Sequence, residues 1–388
     1  MKIVHVCLSS ATVNRFYAYQ ENLLSKYHSR LGHEVSIIAP TYSEYDKKSG
    51  KIVSEEPGVE IINDGIRLIR LKPLLPCFIN QHIHVFWGLG QIIEGMKPDL
   101  IFVHGVSSLN YRFFVGYKKR HPEVRIAYDN HADFNNSDKN AISYYYSRCI
   151  VKNFVVKKLI GTSDFFYGVT PARCDYLRDM YNVPQEKIHL LPLGADDDEM
   201  QFDQREEIRI EIREKYRISS DDFLIVTGGR IDPVKNIHVL AEAVSKCEYK
   251  HIKILIFGSI QNDLKDTFDR LISDRVICIG WQPSNEVYRY FYAADIAMFP
   301  GLHSVLWEQA VASQVPCAFS RIKGFEHIDI GGNCVLMDGK TVDYYQALIK
   351  RLYCDKSMYQ GLLVNARSKK SEQFLYGKIA QKVMDEII

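Results

Sequence analysis

Short apolar runs alternate with amphipathic helical segments along almost the whole chain, and the alternation starts afresh near residue 220. Lys2–Cys7 reads as a strand. Asn14–Leu31 reads as a helix with Phe16, Leu23, Leu24, Tyr27 and Leu31 on one side, and Glu34–Ala39 as a second strand behind the Gly32-His33 break. Strands joined by a helix in this way lie parallel in one sheet. Ile61–Leu71 predicts a short hairpin, and Leu100–Val103, Arg125–Tyr128, Phe165–Val169 and Ile188–Leu191 predict further strands. A long aromatic and basic helix is expected over Ala141–Leu159. The acidic run Asp196–Glu199 and a charged helix over Gln204–Tyr216 mark a change in composition. Beyond it the pattern resumes, with strands at Phe223–Thr227, Ile252–Phe257, Arg275–Ile279 and Ile296–Phe299 and helices at 236–247 and 284–294. A chain of 388 residues exceeds one ordinary core. The expected fold class is therefore α/β, with two parallel sheets facing across a cleft. The expected domains are residues 1–200 and 201–373, with a tail helix at 374–388.

Composition narrows the function classes. A net charge of +2 gives no reason to expect bulk nucleic-acid binding. The nine cysteines form no Cys-x-x-Cys pair, so they are expected as reduced thiols of a cytoplasmic protein, not as a disulfide frame or zinc site. The first strand begins at Lys2, which leaves no room for a signal-peptide apolar region. Tyr144–Lys158 mixes aromatics with Arg148, Lys152, Lys157 and Lys158. It suits an ordinary surface helix with a basic face, or peripheral contact with an anionic membrane.

Two segments of the second half carry the candidate chemistry. In the first, Asp295–Pro316, an apolar strand-like run is broken at Pro300-Gly301. A helix-period segment follows, with Val305, Leu306, Ala310 and Val311 on its apolar side. Ser304 is the expected N-cap, and Glu308 ends the first turn. Open α/β sheets bind ligands at the carboxyl ends of their strands. A helix start there favours phosphate, and a carboxylate beside it favours a neutral polyol such as ribose. In the second, Gly228-Gly229-Arg230 followed by Lys235 places two cations beside a close-approach turn, as a diphosphate leaving group requires. The same residues also suit an ordinary βα turn and a solvated basic loop. In the first half, His104 and His131 each follow a strand and could face the cleft as substrate donors, or serve as structural histidines. His82 and His84 are read as packing residues. Gly88, Gly90 and Gly95 miss the Gly-x-Gly-x-x-Gly spacing. Asp196-Asp197-Asp198 is read as linker charge instead of a metal site.

The chain resembles the family 4 glycosyltransferases of the GT-B fold. The resemblance rests on LGHEV (Leu31–Val35), PDLIFVHG (Pro98–Gly105), LPLGAD (Leu191–Asp196), GGRIDPVKNI (Gly228–Ile237) and SVLWEQAVASQVP (Ser304–Pro316). It implies two Rossmann-like domains with the tail helix at 374–388 crossing back onto the first, a UDP- or GDP-sugar donor held by the second half, and transfer with retention to a glycan or lipid-linked acceptor. No metal or other cofactor is implied, and bacterial surface polysaccharide synthesis is the expected setting. By this resemblance Arg230 and Lys235 grip the diphosphate and Glu308 holds the ribose. Gly229, Gly258 and Trp281 cup the donor, and His104 lies near the reacting sugar. Two departures stand out. Pro300 occupies the place of the family's first motif Glu, eight residues before Glu308, with His303, Ser304 and Val305 nearest to it. The Ser9–Thr12 loop lacks the usual paired glycines, leaving Ser10 and His131 as acceptor-side candidates. A non-catalytic nucleotide-sugar-binding subunit and a nucleotide-sugar epimerase are the alternatives.

Overall fold

The computed structural model describes residues 1–8, 13, 20–46, 51–76, 80, 84–106, 110–134, 136–137 and 144–388, without the side chains of 42–46, 51–54 and 63. Ser10, Phe16 and His82 lie outside the described residues. The chain divides into two compact units, Met1–Pro192 with Ile379–Ile388, and Leu193–Lys378. The expected break at residue 200 thus falls earlier. The reason is local pairing: Ala195 N–H donates to Phe374 O at 2.8 Å and Tyr376 N–H to Ala195 O at 3.0 Å, which ties the acidic segment to the tail within the second unit. Asp197 accepts the Gly377 N–H at 3.0 Å and Asp196 caps the following turn, so this acidic run serves the backbone.

The first unit is built on β1 (Lys2–Val6), β2 (Glu34–Pro40), a separate hairpin of β3 (Tyr42–Asp46) and β4 (Lys51–Ser54), β5 (Gly58–Ile61), β6 (Arg67–Leu71), β7 (Leu100–His104), β8 (Arg125–Asn130), β9 (Phe165–Gly168) and β10 (Ile188–Leu190). Its main sheet runs β10-β9-β8-β7-β1-β2-β6-β5. All its pairings are parallel except the β5–β6 hairpin, whose first strand ends at Ile61, where the expected hairpin was read to begin. The order reverses between β1 and β7, which makes a switch point there. Tyr146–Val156 is a π-helix where an ordinary helix was expected. The Asn153 side-chain amide donates to the carbonyls of Arg148 and Cys149, competing with the regular backbone bonds.

The second unit contains β11 (Phe223–Gly228), β12 (Ile252–Phe257), β13 (Val276–Gly280), β14 (Ile296–Phe299), β15 (Cys317–Ser320) and β16 (Cys334–Met337). Its sheet is wholly parallel, in the order β13-β12-β11-β14-β15-β16. That is the doubly wound dinucleotide-type order, with its switch point between β11 and β14. Ile225, Ile254, Ile256 and Ile296 are fully buried with Leu240 and Val244 of the helix Ile237–Lys246. Each such side chain contributes about 1.5–3 kcal/mol through removal from water. The apolar runs read in the sequence are these core strands. Their carboxyl ends carry both candidate segments.

Candidate active site

The loops after β11 and β14 meet at the switch point of the second sheet. Gly229 (φ 109°), Gly258 (φ 123°) and Gly280 (φ 71°) end three neighbouring strands in a backbone region that side chains strain. Gly229 N–H donates to Phe257 O at 3.0 Å, and Gly258 N–H to Gly280 O at 2.7 Å. A Cβ on Gly258 would lie 1.8 Å from Gly229 O, so the two turns touch backbone to backbone. Gly258→Ala is therefore expected to cost roughly 2–4 kcal/mol, through positive φ and a clash that no side-chain movement relieves. A denaturation midpoint equal to wild type would refute this close approach. Trp281 follows Gly280 and is exposed.

Arg230 and Lys235 flank Asp232. Arg230 Nε donates to Asp232 Oδ2 at 2.7 Å, and the guanidinium is 68% exposed. Asp232 Oδ1 accepts the Lys235 N–H at 3.0 Å, which shapes the Pro233–Lys235 turn. Lys235 Nζ donates to the carbonyls of Leu302 (2.5 Å) and His303 (3.1 Å), the loop that follows β14. A Cβ on Gly301 would lie 2.3 Å from Lys235 Cα, so the Pro300-Gly301 break is what lets the two loops touch. Burial lowers the Lys235 pKa to about 8; Asp232 opposes this and Arg230 adds to it. The two cations and the helix start read in the sequence thus share one corner.

That helix runs Leu306–Ala312. Ser304 was expected as its side-chain N-cap, but the cap position is Val305, in helical conformation (φ −53°), with no side-chain cap bond. Ser304 contributes its carbonyl, which accepts the Trp307 N–H at 2.9 Å. The helix thus starts one residue later than read, with Ser304 lying just before the turn. Glu308 is fully buried. Its Oε1 accepts from His303 Nε2 at 2.7 Å and from His327 Nε2 at 3.0 Å. Burial would raise its pKa, but the two imidazoles outweigh burial and pull it down to about 2. His303 packs on Phe325 (4.8 Å between ring centres), and Trp307 stacks on Phe319 (4.7 Å). Glu308 Oε2 has no hydrogen-bond partner among the described residues. A buried carboxylate oxygen without a donor is costly unless a ligand supplies one.

In the first unit, register decides which histidine is accessible. His104 was expected to face outward from a strand end. It pairs with Asp129 in the β7–β8 ladder and is completely buried. Its ring packs against those of His5 and Phe102, with centres 5.4 and 5.0 Å away. His104 Nδ1 lies 2.5 Å from Asp129 Oδ2, and Nε2 lies 3.1 Å from His5 Nδ1. His5 Nε2 in turn lies 3.0 Å from His28 Nδ1. His131, by contrast, is 38% exposed, with Nε2 at 3.7 Å from Asp129 Oδ1.

Burial lowers the His104 pKa, but Asp129 more than compensates, so the net shift is upward. In its charged form His104 donates from both nitrogens, and a neutral His5 would then pass one N–H on to His28. Burial holds His5 well below its ordinary value, and His28 down to about 3. Neutral buried histidines contribute stability that is complete above about pH 6.5 and is lost as pH falls toward their folded values. His104 has the opposite sign, its contribution being lost as pH rises through its folded pKa. Asp129, held low by His104 and His131 against burial, matters only below about pH 3.8. The His104 contribution is already complete below about pH 6.5, so His5 and His28 set the trend there, and this unit is expected to lose stability as pH falls from about 6.5 to about 4. A His28→Gln variant should lose less over the same window. Equal losses in the two proteins by denaturant titration would show that the row does not carry the effect.

Comparison with known proteins decides the family. Residues 22–199 match the family model for Glycosyltransferase Family 4, and residues 208–369 match that for Glycosyl transferases group 1. The chain is a GT-B glycosyltransferase. An uncharacterised glycosyltransferase of Methanocaldococcus jannaschii is 22% identical to it over 372 residues, 92% of this chain and 90% of the relative. Among solved structures, HepE of Anabaena in complex with UDP-glucose superposes with a TM-score of 0.67 at 14% identity, covering 99% and 98% of the two chains. WaaG, a glycosyltransferase involved in lipopolysaccharide biosynthesis, superposes at 0.63 and 14% identity over 99% of each chain.

Within each unit, several partners of the candidate residues carried no sequence signal. His327 lies 19 positions after Glu308, on a short 3-10 turn, and no spacing rule connects them. Asp129, His5 and His28 are joined to His104 only by strand order. Asp232 and Gly301 were legible in type, as an acid between two cations and a glycine after proline, but not in role.

Proposed function

We propose that this glycosyltransferase moves a hexose-type sugar from UDP or GDP to an acceptor hydroxyl with retention of anomeric configuration. The carrying observation is the contact of Lys235 with the Leu302–His303 loop, beside Arg230 and in front of the helix that holds Glu308. In this reading the anomeric carbon–oxygen bond to the diphosphate breaks, and the acceptor oxygen bonds to the same carbon on the same face. The acceptor proton passes to the departing phosphate oxygen. Arg230 and Lys235 stabilise the charge gathering on that phosphate. The unpartnered Oε2 of Glu308 accepts a ribose hydroxyl, while His303 and His327 fix Oε1. His131, steered by Asp129, takes the substrate-facing place in the first unit, with His104 buried behind it. HepE was solved with UDP-glucose, which supports a UDP-sugar as the first donor to try.

His303, Glu308 and His327 bring three metal-type donor atoms within 4.8 Å of one another. They suit a hydrogen-bonded triad better than a cation. A metal would need bare Nε2 atoms, moving each ring proton to Nδ1, and His327 Nδ1 has no acceptor among the described residues. Transfer in this reading is metal-independent and survives a chelator.

The acceptor side is read as a glycan or a lipid-linked precursor in surface polysaccharide synthesis. No helix of the described residues is long and apolar enough to cross a membrane. Tyr146, Ile150 and Phe154 stand exposed at four-residue spacing among Arg148 and Lys152, which supports peripheral contact with an anionic membrane. The test is incubation with UDP- and GDP-hexoses and a lipid-linked acceptor, with the product linkage read by NMR. A product of the donor's own configuration supports the proposal. An inverted linkage contradicts it, and so does the absence of product from every donor, which would favour a nucleotide-sugar-binding subunit.

A further inference from the structure

The second unit holds a cavity of about 200 Å³ at the opposite end of its sheet from the donor site. Its wall includes Asp295 and Pro316, which immediately precede β14 and β15, so it opens at the amino ends of strands whose carboxyl ends carry Pro300 and Glu308. Three guanidinium groups, those of Arg205, Arg209 and Arg367, line it with Tyr292 and Tyr359.

The charges there are unbalanced. Asp295 is fully engaged: Oδ1 accepts from Arg209 at 2.6 Å, and Oδ2 from Arg213 at 2.9 Å and the Leu224 N–H at 2.6 Å. Arg209 gives its other terminal nitrogen to the carbonyls of Ala293 and Ala294. Arg205 has no carboxylate partner among the described residues. It donates to the carbonyls of Ser313 and Gln314, at the end of the Leu306–Ala312 helix, and lies 4.8 Å from the Tyr292 ring centre. Arg367 is exposed and its guanidinium has no ion-pair partner among the described residues. The remaining carboxylate on the wall, Glu206, is exposed on the rim. Burial, and after it the like charges of Arg367 and Arg209, keep the Arg205 pKa below its ordinary value, although Tyr292 and Glu206 act the other way. Arg205 and Arg367 thus converge beside the already paired Arg209 without a carboxylate of their own, at a cost that a bound anion removes. Planar guanidinium forks match phosphate oxygens in pairs.

We propose that this cavity is a second anion site, distinct from the donor site, that takes a small phosphate-bearing anion between Arg205, Arg209 and Arg367. Its position links it to the chemistry, because Arg205 holds the far end of the helix that presents Glu308.

The test is isothermal titration of the full-length chain with inorganic pyrophosphate, using wild type, Lys235→Ala and Arg367→Glu. Lys235→Ala weakens any pyrophosphate binding at the donor site and leaves this one. Arg367 is exposed, so its reversal removes a charge from the wall without disturbing the core; circular dichroism checks the fold. The expected result is that pyrophosphate still binds Lys235→Ala, and that adding Arg367→Glu to that variant weakens binding at least roughly tenfold. Loss of all pyrophosphate binding in Lys235→Ala alone would overturn the proposal. Unchanged affinity on adding Arg367→Glu, or no binding to wild type at millimolar pyrophosphate, would overturn it equally.

Discussion

Lys235→Ala is expected to lower kcat/KM by roughly two to three orders of magnitude while leaving thermal stability close to wild type. The size follows from removing one fixed charge that acts on a developing phosphate anion in a partly desolvated corner. The fold should tolerate the change because Lys235 Nζ donates only to the loop carbonyls of Leu302 and His303. Water can replace it there, and the Asp232 bond to the Lys235 backbone N–H remains. The pH dependence adds a second signature. Burial sets the Lys235 pKa at about 8 in the free protein, so kcat/KM should fall as pH rises through that value. Lys235→Arg keeps the charge and should push the falling limb to higher pH, even if the longer guanidinium lowers the plateau. A profile with the same falling limb in wild type and Lys235→Arg would assign that limb to another group. Full turnover in Lys235→Ala would remove the catalytic role altogether.

The largest stability effect is expected at Glu308. Glu308→Ala leaves the His303 and His327 N–H groups without their shared acceptor, inside a box closed by Trp307, Phe319 and Phe325. The loss should be about 3 kcal/mol or more, read as a fall in the denaturation midpoint. Glu308→Gln keeps the volume and one oxygen, so it should fold. It replaces the other oxygen or its charge, and nucleoside diphosphate affinity should fall roughly tenfold or more, since hydrogen bonds to charged groups are the stronger ones. The pair of variants separates the two roles of one carboxylate. Wild-type stability in Glu308→Ala would contradict the triad. Wild-type affinity in Glu308→Gln would contradict ribose binding at Oε2 and leave the triad standing.

The strands were legible because each buried β-strand in a parallel sheet is a short apolar run bounded by glycine, proline or charge, as at Phe223–Gly228 and Ile296–Phe299. That the Gly-Gly-Arg turn and the Pro-Gly turn both follow strands of the same half was legible as well; that they meet rests on the strand order β12-β11-β14. What could not be read was which way a polar residue at a strand end points. His104 looked like an outward group because an apolar run stopped there, yet it is buried against Asp129, His5 and Phe102, which the strand order brings beside it. Glu308 was readable as a carboxylate one turn into a helix. Its shielding by His327 depends on the chain returning after β15, which no local pattern encodes. The Ser304 cap failed for a smaller reason: a good capping residue at the right spacing does not cap when the following residue, Val305, holds that position itself.

The most direct test is a crystal structure of the 388-residue chain with UDP or GDP bound. Diphosphate oxygens are expected within hydrogen-bond distance of Lys235 Nζ and the Arg230 guanidinium, and a ribose hydroxyl on Glu308 Oε2. A nucleotide whose diphosphate lies away from both cations, or whose ribose leaves Glu308 untouched, would contradict this placement.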